Sequence, residues 1–371
     1  MAARTQADVN ARIEAAVGRV EAAAAESTAA TRRDLLEAVE ALRSELRTIE
    51  RRLQPPQAEA VATLAAEKLE ATRPWLDGLH VPDLVVSPPL GEGPFMAWST
   101  PSASDVRHRA FAAVCREMSW GVTFHRKLWE WVCIVHHLRR LGCLRPGQRG
   151  LGFGVGQEPL PSFFARLGVQ VTATEAPPEI GIAAGWAESN EYGASLEVIR
   201  NHVIVDAETF ARLVRLQTCD MNALDPALTG YDFCWSSCSL EHLGSLQAGM
   251  DFVVNSVERC LRPGGVAVHT TELNLSSDED TVAEGPTVLY RRRDLLQLAA
   301  RLRALGHHVD ELRVAPDVDP LDTHVDLPPF RQNPHLKLRL LGYTTTSVAI
   351  VVRRGGRPGD RAGFASGRAM E

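Results

Sequence analysis

The stretch from Gly150 to Glu175, GLGFGVGQEPLPSFFARLGVQVTATE, constrains the fold of this chain more than any other. A short apolar run containing Leu151 and Phe153 leads into alternating glycines at Gly152, Gly154 and Gly156. Pro161 opens a helix that the pattern carries to about Arg166, and a second strand, Val169 to Thr174, ends on an acid, Glu175. Strand, glycine turn, helix and carboxylate-tipped strand are the parts of a nucleotide-binding βαβ unit. Glycine lets the backbone pass close to a ligand where a Cβ would collide. A carboxylate at the tip of the second strand can accept hydrogen bonds from two ribose hydroxyls, so an adenosyl ligand is expected.

The rest of the chain divides around this unit. Residues 5–53 contain no proline, and apolar residues fall at Leu35, Val39, Leu42, Leu46, Ile49 and Leu53, alternating steps of four and three. That is a heptad seam. A weaker run at Ile13, Val17, Val20 and Ala24 is out of register with it, which implies a stutter near Ser27 to Thr31. Acids and bases are nine each over residues 1–53, whereas a helix lying on a membrane surface is usually basic. A coiled coil over 1–53 is therefore expected, joining copies of the chain or a partner helix. Pro55 and Pro56 end it, and 54–104 reads as a proline-rich linker that packs in places. Helical patterning returns from Asp105 to Leu141, with Trp120, Phe124, Leu128, Trp131, Val132 and Val135 on one face.

From Arg149 the pattern alternates between strands and helices. A partly helical crossover over 176–218 is followed by a third strand, Leu213 to Cys219, ending at Asp220, Met221 and Asn222. A fourth, Tyr231 to Ser236, runs into SCSLEHLG; a helix from about Gln247 to Cys260 and the turn LRPGG precede a fifth, Val266 to Thr271. After an amphipathic helix, Arg291 to Leu305, two closing strands are expected near Val309 to Val314 and Thr345 to Val352. The tail over 355–371 is rich in Gly and Arg and reads as disordered. No apolar run reaches the ~18 residues of a membrane span, and the net charge of -6 does not suit nucleic acid. The N-terminus lacks the apolar core of a signal peptide, so a cytoplasmic protein is expected. Seven cysteines without a Cys-x2-Cys pair read as buried thiols.

The glycine turn, Glu175, Asp220 and LRPGG, in that order, resemble the class I S-adenosylmethionine-dependent methyltransferases over roughly residues 122–354. The resemblance implies a Rossmann-like α/β domain, over 105–354, with a doubly wound, mostly parallel seven-stranded sheet and an antiparallel final hairpin. It also implies that Gly152, Gly154 and Gly156 lie under the methionine part of the cofactor. Glu175 would hold the ribose, Asp220 and Met221 would meet the adenine edge, and Ser236 would lie at the cofactor. The phrases GFGVGQEPLP, WSSCSLEHLG and HTTELN are similar to a bacterial subgroup associated with glycan or secondary-metabolite genes. Two departures stand out. Gly152 falls where such enzymes carry an acid, and Glu158 where a third glycine is usual. Glu158 either replaces the missing carboxylate from the other side or caps the following helix.

A dinucleotide dehydrogenase is the rival reading of a glycine-rich βαβ unit. Here Glu158 would face a pyrophosphate, a repulsion of ~1 kcal/mol or more, and no Tyr-x3-Lys pair is present. A cationic sulfonium tolerates nearby acids. The expected reaction is methyl transfer to a hydroxyl or amine of a small, sugar-containing acceptor. A catalytically silent scaffold that binds the cofactor is the alternative, and an NAD-dependent oxidoreductase a third. Candidate site residues follow strand ends, the ligand side of open α/β sheets. His242 is the first choice of general base and Glu272 the second catalytic candidate, while Glu241, Asn274, His324, Asp326 and His335 are expected against the acceptor. His269, alternating with apolar neighbours, reads as a hydrogen-bonded core residue. Glu272, His324 and Asp326 would suit a magnesium-type ion, but the His-Asp spacing is common by chance and no metal is expected.

Overall fold

A computed structural model describes residues 93–177, 193, 195–331 and 333–356. The coiled coil expected over 1–53, most of the linker, Trp186 and Tyr192 in the crossover and nearly all of the tail lie outside the described residues. The described end of the linker is packed: Met96, Thr100 and Ser102 are buried, and Ser102 caps a short helix α1, Ala103–Arg107.

The helical stretch before the sheet is broken rather than continuous. Helix α2, Arg109–Glu117, stops before Ser119, which takes φ +56°, and α3, Arg126–Arg140, begins anew with His125 Nδ1 accepting from the Lys127 N–H. Trp120 lies in the break and is exposed, not on the apolar face. Helix α3 buries almost every residue from Leu128 to Leu138, the pattern of a helix packed on all sides.

Nine strands form one sheet. These are β1 Arg149–Phe153, β2 Gln170–Glu175, β3 Val214–Thr218, β4 Tyr231–Ser237, β5 Leu261–Asn274, β6 His308–Val309, β7 Val325–Asp326, β8 Lys337–Leu340 and β9 Tyr343–Arg353. Their order is β3-β2-β1-β4-β5-β9-β8-β7, with β6 also on β9. Strands β1 to β5 are parallel, and β9 is antiparallel to both β5 and β8. The expected antiparallel closure is present: the strand expected at Thr345 to Val352 lies within β9, but its hairpin partner is 337–340, and of the strand expected at 309–314 only Val309 pairs, with His308 before it. The two edge additions β6 and β7 extend the seven strands to nine.

Alternation divides each central strand between two cores. On β1, Leu151 and Phe153 join a core with helices α5, Leu246–Asn255, and α6, Arg292–Ala304. Phe233 and Trp235 of β4 join the opposite core with α2, α3 and α4, Leu160–Arg166. Gly150 and Gly152 present no side chain to that second face, and the rings of Phe233 and Trp235 fill the space. No helix among the described residues is long and apolar enough to cross a membrane.

Candidate functional site

A cavity of about 570 Å³ opens at the C-terminal ends of β1 to β5. Its first wall is the turn after β1. Gly154 and Gly156 take φ +56° and +51°, a conformation that a side chain disfavours. A Cβ on Gly154 would lie 2.8 Å from Ser239 Oγ and 3.9 Å from Met221 Sδ, so it would also thin the cavity. The turn is held from β2: Glu175 Oε2 accepts from the backbone N–H of Gly156 at 3.0 Å and of Gly193 at 2.8 Å. Burial raises the Glu175 pKa, and these bonds oppose the rise. Asp220, Met221 and Asn222 follow β3 into the same cavity.

Glu158 reaches the wall from the start of α4 and does not cap that helix. Its Oε1 accepts from Trp235 Nε1 at 2.6 Å. Burial lifts its pKa to about 8, with neighbouring Glu130 and Glu175 adding to the rise and Lys127 opposing it.

The opposite end of the cavity is charged. Arg126, Lys127 and Trp131 come from α3, Cys238 and Ser239 from the bend after β4, Glu241 and His242 from the turn Leu240–His242, and Glu272 from β5. Arg126 donates to Glu272 Oε1 at 2.5 Å. Behind them Glu130 is fully buried, with Lys127 Nζ at 3.2 Å, Ser237 Oγ at 2.8 Å, Thr270 Oγ1 at 3.1 Å and Cys238 Sγ at 3.1 Å. Burial alone would raise the Glu130 pKa, but Lys127 and Arg126 hold it down at about 2. Glu272 is pushed the other way, by burial and by Glu241 and Glu130, against the pull of Arg126. Its Oε2 is buried and has no hydrogen-bond partner among the described residues. His242 Nδ1 lies 2.9 Å from the Pro286 carbonyl oxygen; that bond assigns the proton of a neutral ring to Nδ1 and the lone pair to Nε2.

Of the residues singled out in the sequence, Gly154, Gly156, Glu158, Glu175, Asp220, Met221, Glu241, His242 and Glu272 are brought together around this cavity. Six others are not. Gly152 lies inside β1, where a Cβ would stand 2.5 Å from the Trp235 ring; it is a packing glycine. Ser236 is buried against His269, whose two ring nitrogens meet Ser236 Oγ at 2.8 Å and Ser256 Oγ at 3.0 Å. Burial lowers the His269 pKa to about 3, as befits a core residue. Asn274 ties the loop after β5 through the Ser276 and Ser277 amides and Asp280 carbonyl. His324 is half-buried elsewhere, and Asp326 meets His335 Nδ1 at 2.6 Å. That loop acts on the site indirectly: the His335 carbonyl accepts from the Arg126 N–H at 2.9 Å, which anchors the start of α3.

Sequence reasoning missed Arg126, Lys127 and Glu130. The signal was present as a charge trio interrupting an otherwise apolar helix, with Glu130 between Trp129 and Trp131. A charge in a helix buried all round needs a partner.

No protein-family model matches this chain, and no curated protein does. Solved structures do. The 1,6-didemethyltoxoflavin-N1-methyltransferase of Burkholderia thailandensis, with bound 1,6-didemethyltoxoflavin and S-adenosylhomocysteine, is 18% identical; the match covers 60% of this chain and 76% of that one, with a TM-score of 0.35. The CcbJ methyltransferase of Streptomyces caelestis is 14% identical over 59% of this chain and 88% of its own, TM-score 0.35. Phosphoethanolamine N-methyltransferase 2 of Haemonchus contortus, in complex with S-adenosyl-L-methionine, is 14% identical over 60% and 52%, TM-score 0.37. A mostly parallel sheet closed by an antiparallel hairpin is the arrangement that the resemblance to class I methyltransferases implies.

Proposed function

We propose that this protein is an S-adenosylmethionine-dependent methyltransferase acting on a hydroxyl or amine of a small molecule. The observation that carries the reading is Glu175, which holds the positive-φ glycine turn by its backbone while lining a cavity sealed at the far end by buried carboxylates. The residues suit the cofactor. Gly154 and Gly156 leave the floor clear of side chains, Glu175 stands where ribose hydroxyls would be met, and Asp220 with Met221 would flank the adenine. A cavity of about 570 Å³ falls in the range of ligand sites. Its acids favour a cationic sulfonium over a pyrophosphate.

When bound, the sulfonium supplies an electrophilic methyl carbon. The protein's part is to hold the acceptor in line, exclude water and take a proton. Two groups at the charged end can do the last, His242 through Nε2 and Glu272 through Oε2. Residues 1–53, as a coiled coil, would join copies of the domain.

Calorimetry tests the reading. S-adenosylmethionine and S-adenosylhomocysteine should bind, and Glu175→Ala should abolish both. Unchanged affinity in that variant would refute the placement of the ribose. Turnover of S-adenosylmethionine with a panel of acceptors separates an enzyme from a scaffold that only binds.

A further inference from the structure

The charged end of the cavity carries more carboxylate than base. Lys127 and Arg126 face three buried acids among the described residues, Glu130, Glu241 and Glu272. Glu130 is saturated by both bases, three hydroxyls and a thiol. Arg126 alone then serves Glu241 and Glu272, which leaves one carboxyl group in excess of the bases. An oxygen of each of these two carboxylates and Cys238 Sγ lie within 4.8 Å of one another. Glu241 Oε2 accepts from Thr271 Oγ1 at 3.0 Å, but Glu272 Oε2 has no donor although the residue is 2% exposed. A buried carboxylate oxygen with no donor is an unfilled demand for an N–H group.

We infer that the acceptor is an amine, entering as its ammonium between Glu241 and Glu272, with Glu272 Oε2 accepting its proton. The inference rests on the methyltransferase reading above. An N–H bond breaks and an O–H bond forms on Glu272; the freed nitrogen lone pair then forms the new C–N bond as the C–S bond breaks, its electron pair staying on sulfur. The product leaves as a methylammonium, and Glu272 returns its proton to water. Other ligands fit the wall less well. An anion would find Arg126 and Lys127 already paired with carboxylates. A hydroxyl would leave the excess carboxyl group without a cationic partner. A thiophilic metal ion would need a thiolate, yet Cys238 donates its thiol proton to Glu130 Oε1, and any metal ion beside Cys238 would face the Arg126 guanidinium, 3.4 Å from that sulfur.

The full-length protein is first titrated with S-adenosylhomocysteine. Failure to bind sinks the methyltransferase reading itself. On the saturated protein, ligand-observed NMR then compares n-butylammonium with n-butanol and benzylammonium with benzyl alcohol. The amines should bind at least about tenfold more tightly than the matched alcohols, the difference that a charge-assisted bond makes. Glu272→Gln and Glu241→Gln should each remove that preference while S-adenosylhomocysteine affinity stays within about twofold, which also certifies that the variants fold. Amine binding that is absent, matched by the alcohols or retained in both variants overturns the inference. So does saturable binding of Zn2+ or Mg2+ that disappears with Glu272→Gln, since the acids would then be metal ligands.

Discussion

Glu158 couples the site to pH. Burial against Trp235 carries its pKa from an ordinary 4.5 to about 8, so the folded protein holds a proton there that the unfolded chain has released. The sign follows: this group's contribution to stability is complete below pH 4.5 and declines as pH rises towards 8. At about 1.4 kcal/mol per pKa unit, the loss by pH 9 is on the order of 4 kcal/mol. Glu158→Gln keeps an acceptor for the indole N–H and cannot ionise. Urea unfolding should find it close to the parent at pH 5 and more stable at pH 9. A parent whose stability does not fall over that interval would contradict the assignment. A cation in the cavity favours the ionised form, so affinity for S-adenosylmethionine should rise between pH 6 and 8, by at most about tenfold per unit. Calorimetry of Glu158→Gln should give a flatter profile. From sequence alone Glu158 had two readings, cap or counter-charge, because only the fold reveals the Trp235 ring beside it. Glu175 was legible since its role follows from its position at a strand tip. The Arg126–Glu272 pair was not, because nothing local links the two residues.

At the level of elements, the first four strands were readable because each groups or alternates apolar residues over a short stretch. Of the closing hairpin only the second strand was, Thr345 to Val352 within β9. The hairpin's two-residue turn is Leu341-Gly342, with φ +50° at the leucine, and an exposed leucine in that conformation gives no turn signal beyond the glycine. Lys337 to Leu340 alternates correctly but carries two bases in four residues, so it read as loop. Strand β5 extends to Asn274 and carries Thr270, Thr271 and Glu272 into the site, a polar end that hydropathy does not mark as strand. Helix α3 is the element that the site depends on most, since one turn of it supplies Arg126, Lys127 and Glu130. Glu130→Gln keeps the shape and removes the charge that two buried bases share. The expected cost is about 3 kcal/mol, the scale for breaking a buried ion pair by removing one partner. Denaturant unfolding measures it, and a loss below 0.5 kcal/mol would mean that the bases find other partners. Local pattern shows that Glu130 interrupts an apolar run, but not which bases and hydroxyls from other elements surround it.

For the molecule as a whole, the described lining of the cavity runs from Arg126 to Leu340. Under the proposal, binding and assembly are separable properties of this chain. The heptad pattern predicts the second: in the proposed coiled coil Leu42 and Leu46 would occupy consecutive core positions, where a carboxylate would have to be buried against its copy in the partner helix. The double substitution Leu42→Glu with Leu46→Glu, made in the full-length protein, should convert a self-associating species into a monomer in sedimentation velocity. Its affinity for S-adenosylhomocysteine should stay within about twofold, because association adds avidity towards clustered partners without adding a contact in the pocket. A parent chain already monomeric, or a variant still assembled, would remove the coiled coil from the proposal. Loss of cofactor affinity on dissociation would show instead that the helix completes the pocket, and the two properties would then be one.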